Sequence, residues 1–153
     1  MSSSRQFSKV SPLVWHSKRF RSLDSDGQLL FLYFLTCEHQ TSAGTFRIPD
    51  GYAIADLAWE LPRYLEVRQR VKAAGLIDCD EDENFVQVMG WFKFNPPTNE
   101  KHAQGTLRLL QGISSPRLRE ASLTAFENVA APRRSGDRQL QLARMRTEAE
   151  FRN

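Results

Sequence analysis

The chain has 153 residues, 41% of them apolar, which is enough for one domain with a modest core and too little for a second independent one. The net charge of +3 is segregated: residues 1–23 carry Arg5, Lys9, Lys18, Arg19 and Arg21 and no acid, whereas Asp78, Asp80, Glu81, Asp82 and Glu83 crowd one short stretch. The longest apolar run, Leu29 to Leu35, falls far short of the roughly 18 residues of a membrane span. MSSSRQF also lacks an apolar signal core, so a cytoplasmic protein without a membrane partner is expected.

Taken in order, Phe7, Val10 and Leu13 suit a first strand or extended arm that gives way near Pro12, with Trp15 and Phe20 covering the core. Ser25 with Gln28 three residues on has the form of a capping box, and Asp24 and Asp26 add negative charge at a helix start. The following LLFLYFL is apolar on all sides, and the cap assigns it to a helix over about 26–39. Ser42 to Gly44 make a turn and Thr45 to Ile48 a short strand.

Asp50 stands as the N-cap of a helix over about 51–60, with Ile54, Leu57, Ala58 and Leu61 on its inner face. Pro62 cannot continue that helix but suits the start of another. In this second helix, over 63–74, Tyr64, Val67, Val71 and Ala74 face inward, and Leu65, Arg68, Gln69 and Lys72 are expected to point outward. Gly75 supplies the stop. Two strands, 76–79 and 85–92, then flank the acidic turn, and the prolines of WFKFNPP end the second. Thr98 caps a helix running towards Gly112. A further helix over 116–129 buries Leu118, Leu123 and Phe126. Beyond it lies a linker and an Arg-rich segment near helical spacing, too poor in apolar groups to fold alone.

This order predicts an α+β fold: a winged helix-turn-helix with a small antiparallel sheet, plus extra C-terminal helices. The expected division is a basic arm and first strand at 1–23, the winged-helix domain at 24–95, a helical extension at 96–131 and an Arg-rich flexible tail at 132–153.

Catalytic chemistry has no sequence support. His16, His39 and His102 are dispersed, and neither HExxH, GxSxG nor a phosphate-cradling GxxxxGK[ST] occurs. Cys37 and Cys79 lack metal-ligand spacing and read as buried thiols. The carboxylates at 78–83 lack the spacing of a calcium loop and read as a solvated wing tip. Neither cofactor nor metal is expected. Trp15, Trp59 and Trp91 read as core residues ahead of base-stacking platforms.

Together, KVSPLVWHSKRF, the SLDSDGQLLFLYFLT helix, GTFRIPDGY, VKAAGLID and WFKFNPPTNEK resemble the N-terminal winged-helix module of bacteriophage and prophage replication proteins, the replisome-organiser or DnaD-like group. The resemblance spans about residues 5–112 and implies binding of origin DNA in a bacterial host cell. The short C-terminal part and the acidic wing depart from that group. On this reading the partner is double-stranded DNA: Arg68, Gln69 and Lys72 face the major groove, Arg63 lies near the helix N-terminus, and Arg5, Lys9, Lys18 and Arg19 contact phosphates. The rival readings are a transcriptional regulator, or a module that docks on a host replication or defence protein. Docking would use Leu65, the acidic wing (Asp80, Glu81, Asp82, Glu83) or the Arg-rich tail.

Overall fold

The structure is a computed structural model that describes residues 5–130. The tail expected at 132–153 lies outside the described residues. The described chain is α+β, with seven α-helices, one 3-10 helix and a three-stranded antiparallel sheet.

Among the described residues of the first segment no strand forms. Instead Ser11 Oγ accepts the Leu13 N–H and Pro12 presets the backbone angle, so residues Pro12–His16 close into a 3-10 helix. Leu13 and Trp15 stay exposed, although the Trp15 ring meets Phe20 edge-on at 5.4 Å. A single-turn helix α1, Lys18–Arg21, buries Phe20 completely.

Helix α2, Ser25–Thr36, ends earlier than its apolar content suggested. Asp24 rather than Ser25 is its cap: Asp24 Oδ1 accepts the Gly27 N–H at 2.9 Å, and Gln28 donates to the Phe20 carbonyl instead of closing a box. Strand β1, Thr45–Arg47, leads into α3, Asp50–Leu57, in which Asp50 is the first helical residue rather than the cap. Left-handed Ala58 ends α3, and α4 runs Leu61–Ala73 with Pro62 in its first turn, where no N–H is needed. Gly75, at φ +80°, reverses the chain as expected.

Strands β2, Ile77–Asp80, and β3, Phe85–Val88, form the hairpin. β3 lies in the middle, in the order β1-β3-β2, with Phe46 opposite Val86 and Cys79 opposite Val86 on its other side. The second strand stops four residues short of its expected end. Gly90, at φ +70°, turns the chain out of the sheet, and Trp91–Phe94 wind into a helical turn, α5. Asn99 rather than Thr98 caps α6, Glu100–Gln111, and α7 runs Pro116–Ala130.

Two apolar layers result. The first, between α2, α3, α4 and one face of the sheet, centres on Leu30, Phe34, Phe46, Ile48, Tyr64, Val67, Val71 and Val86. Complete burial of such side chains contributes about 1.5–3 kcal/mol each. The second layer, between the other sheet face and α5–α7, holds Phe85, Phe92, Leu110, Ile113, Leu118 and Phe126. Trp91 touches both. Its indole N–H donates to the Ser42 carbonyl at 3.0 Å, and its ring lies so close over Gly44 that a Cβ there would fall 2.1 Å from Trp91 Cγ.

Candidate nucleic-acid interface

The four α4 residues expected to meet DNA end up in different situations. Arg68 does not point outward. It is 5% exposed, because positions 64, 67, 68 and 71 are spaced three and four apart and form one buried stripe. Its guanidinium donates to Asp50 Oδ1 at 2.8 Å and to Glu81 Oε1 at 3.1 Å, and it lies 5.2 Å from the Tyr64 ring centroid. Burial pushes the Tyr64 phenol up to about 12. Arg68 therefore ties the start of α3, the middle of α4 and the acidic turn together. It is a scaffold residue, and the expected groove contact by Arg68 is corrected accordingly.

Arg63 is exposed at the start of α4, yet its Nε/Nη2 edge is engaged by both oxygens of Asp26: Nε–Oδ2 is 3.0 Å and Nη2–Oδ1 2.8 Å. The plane also stacks 4.5 Å from the Trp59 ring centroid. The Arg63 hydrogen bond holds the Asp26 carboxyl below its ordinary value. Lys72 Nζ sits 3.6 Å from Asp78, and Arg70, which sequence reasoning passed over, pairs with Asp24 and Glu66. The Glu66–Arg70 spacing of four was the available signal. Gln69 and Leu65 are exposed on the same helix.

The acidic turn is not a bare wing tip either. Ser115 Oγ donates to Asp80, Ser114 Oγ to Glu83 at 2.7 Å, and Arg117 to Asp78, so the N-terminal end of α7 engages three of the carboxylates. Glu81 takes Arg68, while Asp82 is exposed. The Ser115 hydroxyl is the main reason the Asp80 carboxyl titrates below its usual value. These contacts join residues more than 30 positions apart, and nothing in the local sequence signals them.

The basic N-terminal segment divides in two. Arg5 donates to the carbonyls of Gln40 at 3.0 Å and Cys37 at 2.9 Å, which clips the arm across the end of α2, and Arg19 donates to the Gly75 carbonyl at 3.2 Å, which fixes α1 beside the end of α4. Both remain exposed, as do Lys9, Lys18 and Arg21. Among the described residues, no carboxylate forms an ion pair with any of these five, in contrast to Arg63, Arg68, Arg70 and Lys72. Arg21 belongs with this group, although the phosphate contacts expected from the sequence did not include it.

The described residues contain no cluster of three His, Cys, Asp or Glu able to hold a metal ion. The thiols of Cys37 and Cys79 are buried, and burial raises both. No helix of the described residues is long and apolar enough to cross a membrane. Comparison of the chain with protein-family models, curated proteins and solved structures finds no match.

Proposed function

We propose that residues 25–88 form a winged helix and that the protein binds double-stranded DNA, acting in replication initiation of a bacteriophage or prophage. The observation that supports DNA binding is the group of exposed cations Lys9, Lys18, Arg19 and Arg21, none of them ion-paired with a carboxylate among the described residues, with Arg19 also donating to the Gly75 carbonyl at the end of α4. Cations already matched by carboxylates must break those pairs before they meet phosphate, and unmatched cations need not. The order helix, strand, helix, helix, hairpin and the sheet order β1-β3-β2 support the winged-helix reading.

In this mechanism Lys18, Arg19 and Arg21 grip the backbone. The exposed face of α4 enters the major groove with Gln69, and Arg63 exchanges Asp26 for a phosphate or a base edge. Arg68 supports the helix from behind. The rival reading, docking of a host protein on the acidic turn, is less well supported, since Asp78, Asp80, Glu81 and Glu83 already have partners within the fold.

The test is binding of the full chain to duplex DNA across a salt series. Lys18→Ala with Arg21→Ala should weaken binding to all sequences alike and reduce the slope of log affinity against log salt by about two units. An unchanged slope removes the strip from the interface, and absence of any duplex binding at low salt overturns the proposal.

A further inference from the structure

On the sheet's flank an open groove runs between the N-terminal segment and α5. Its volume is about 680 Å³, and Leu35 of α2 with Val10, Leu13, Met89 and Phe94 are among the residues that line it. It shares Lys9, Leu35, Trp91, Phe94 and Asn95 with a second depression of about 350 Å³ that includes Phe7. Phe7, Leu13, Met89 and Phe94 are 72%, 61%, 45% and 52% exposed, so the apolar side chains of the two depressions face solvent. Isolated exposed apolar residues are ordinary, whereas a continuous lined channel marks a place where something binds.

The charge around this channel has one sign. Lys9 and Lys93 border the first depression and Arg5 and Lys9 the second, and neither is lined by an Asp or a Glu. The wall is also fixed in advance, because the two Arg5 hydrogen bonds clip the arm to the end of α2. An elongated apolar channel with a cationic rim matches a helix whose apolar stripe carries anchors at i, i+3, i+4 and i+7 and whose flanks carry carboxylates. We infer that this groove receives an acidic amphipathic segment of another protein. The chain's own residues 131–153 are a poor match, with six Arg against three acids. A second copy docked symmetrically would bring Lys9 and Lys93 against their own equivalents.

The probes are two synthetic peptides of about 16 residues, long enough for marginal helicity. Both carry Leu at the anchor positions, one with Glu and the other with Lys elsewhere, and each is titrated into the full chain by fluorescence anisotropy. The Glu peptide should bind roughly tenfold tighter than the Lys peptide or better. Leu13→Glu with Phe94→Glu, both at exposed positions, should cost roughly tenfold or more in affinity for it. Lys9→Glu with Lys93→Glu should reverse the preference, and serves alone if the first double variant fails to fold.

Equal or tighter binding of the Lys peptide, or affinity indifferent to Leu13 and Phe94, overturns the inference. A dimer in sedimentation that Leu13→Glu dissociates assigns the groove to a second copy. Oligonucleotide binding abolished by Phe94→Glu assigns it to nucleic acid. Either result replaces the inferred occupant.

Discussion

Replacing Arg68 separates a scaffold role from a DNA contact. In Arg68→Ala three things are lost: the stem packed in the 64/67/68/71 stripe, the guanidinium's position against the Tyr64 ring, and the bridge between Asp50 and Glu81. Removing one member of a fully buried ion pair costs about 3–5 kcal/mol because a bare charge stays inside. Here the Asp50 and Glu81 side chains are 35% and 69% exposed and regain water, so the charge contribution is smaller. What remains is mostly a cavity and lost packing, and Arg68→Ala should destabilise by roughly 2–3 kcal/mol. Arg68→Met, which refills the stem, should cost only about 1 kcal/mol. Gln69→Ala, one residue on and exposed, should stay within about 0.5 kcal/mol. Urea unfolding at neutral pH measures all three. If Arg68→Ala is as stable as Gln69→Ala but loses duplex DNA, the buried placement is refuted and the side chain reaches the groove. If Met costs as much as Ala, the pairs with Asp50 and Glu81 outweigh the packing.

Two further outcomes follow from the geometry. Gly44→Ala places a Cβ against the Trp91 ring at φ +71°, and should destabilise by roughly 3 kcal/mol, whereas Gly90→Ala, at φ +70° with open space around it, pays only left-handed strain of about 1 kcal/mol; thermal melts of the pair test whether the ring contact is real. Asp80 has a folded pKa below its unfolded 3.8, so its contribution to holding the turn on α7 is present above that value and lost as pH falls through the lower, folded one. Side-chain carboxyl NMR should show Asp80 titrating low in the wild type and moving upward in Ser115→Ala, and an unmoved midpoint would deny the hydroxyl its role.

The elements were readable where local chemistry decides. Pro62 and Gly75 bracket α4 because one lacks an N–H and the other tolerates positive φ. Two caps, Asp24 and Asn99, fell one residue from their expected positions, since adjacent Asp, Ser, Thr and Asn side chains compete for the same free N–H groups, whereas α3 starts at Asp50 itself, after Pro49, with no side-chain cap. The strand expected through Phe92 has the right composition for one, but left-handed Gly90 overrides it. Arg68 was misjudged because its charge hid a position that helical spacing assigned to the core. Likewise the acidic turn looked free because its partners on α7 are remote in sequence. The candidate site was legible as segregated charge, but not as matched and unmatched charge, which only the folded neighbours decide.

The central strand has a consequence for where this chain can be cut or joined. Along β3, Val86 and Val88 enter the layer beneath α2 and α4, while Phe85 enters the layer beneath α6 and α7, so both sheet faces are dry. An antiparallel sheet can leave one face wet, in which case the helices beyond it are separable. Here they are not. A chain shortened to residue 95 would uncover Ala43, Phe85 and Phe92 and strip Ser122 from Thr45, leaving an adhesive plate in place of a smaller protein. The helix–hairpin unit therefore cannot be lent to a fusion without its last two helices. A protease nick between them should leave the two pieces associated through the layer that joins Phe85 and Phe92 to Leu118 and Phe126.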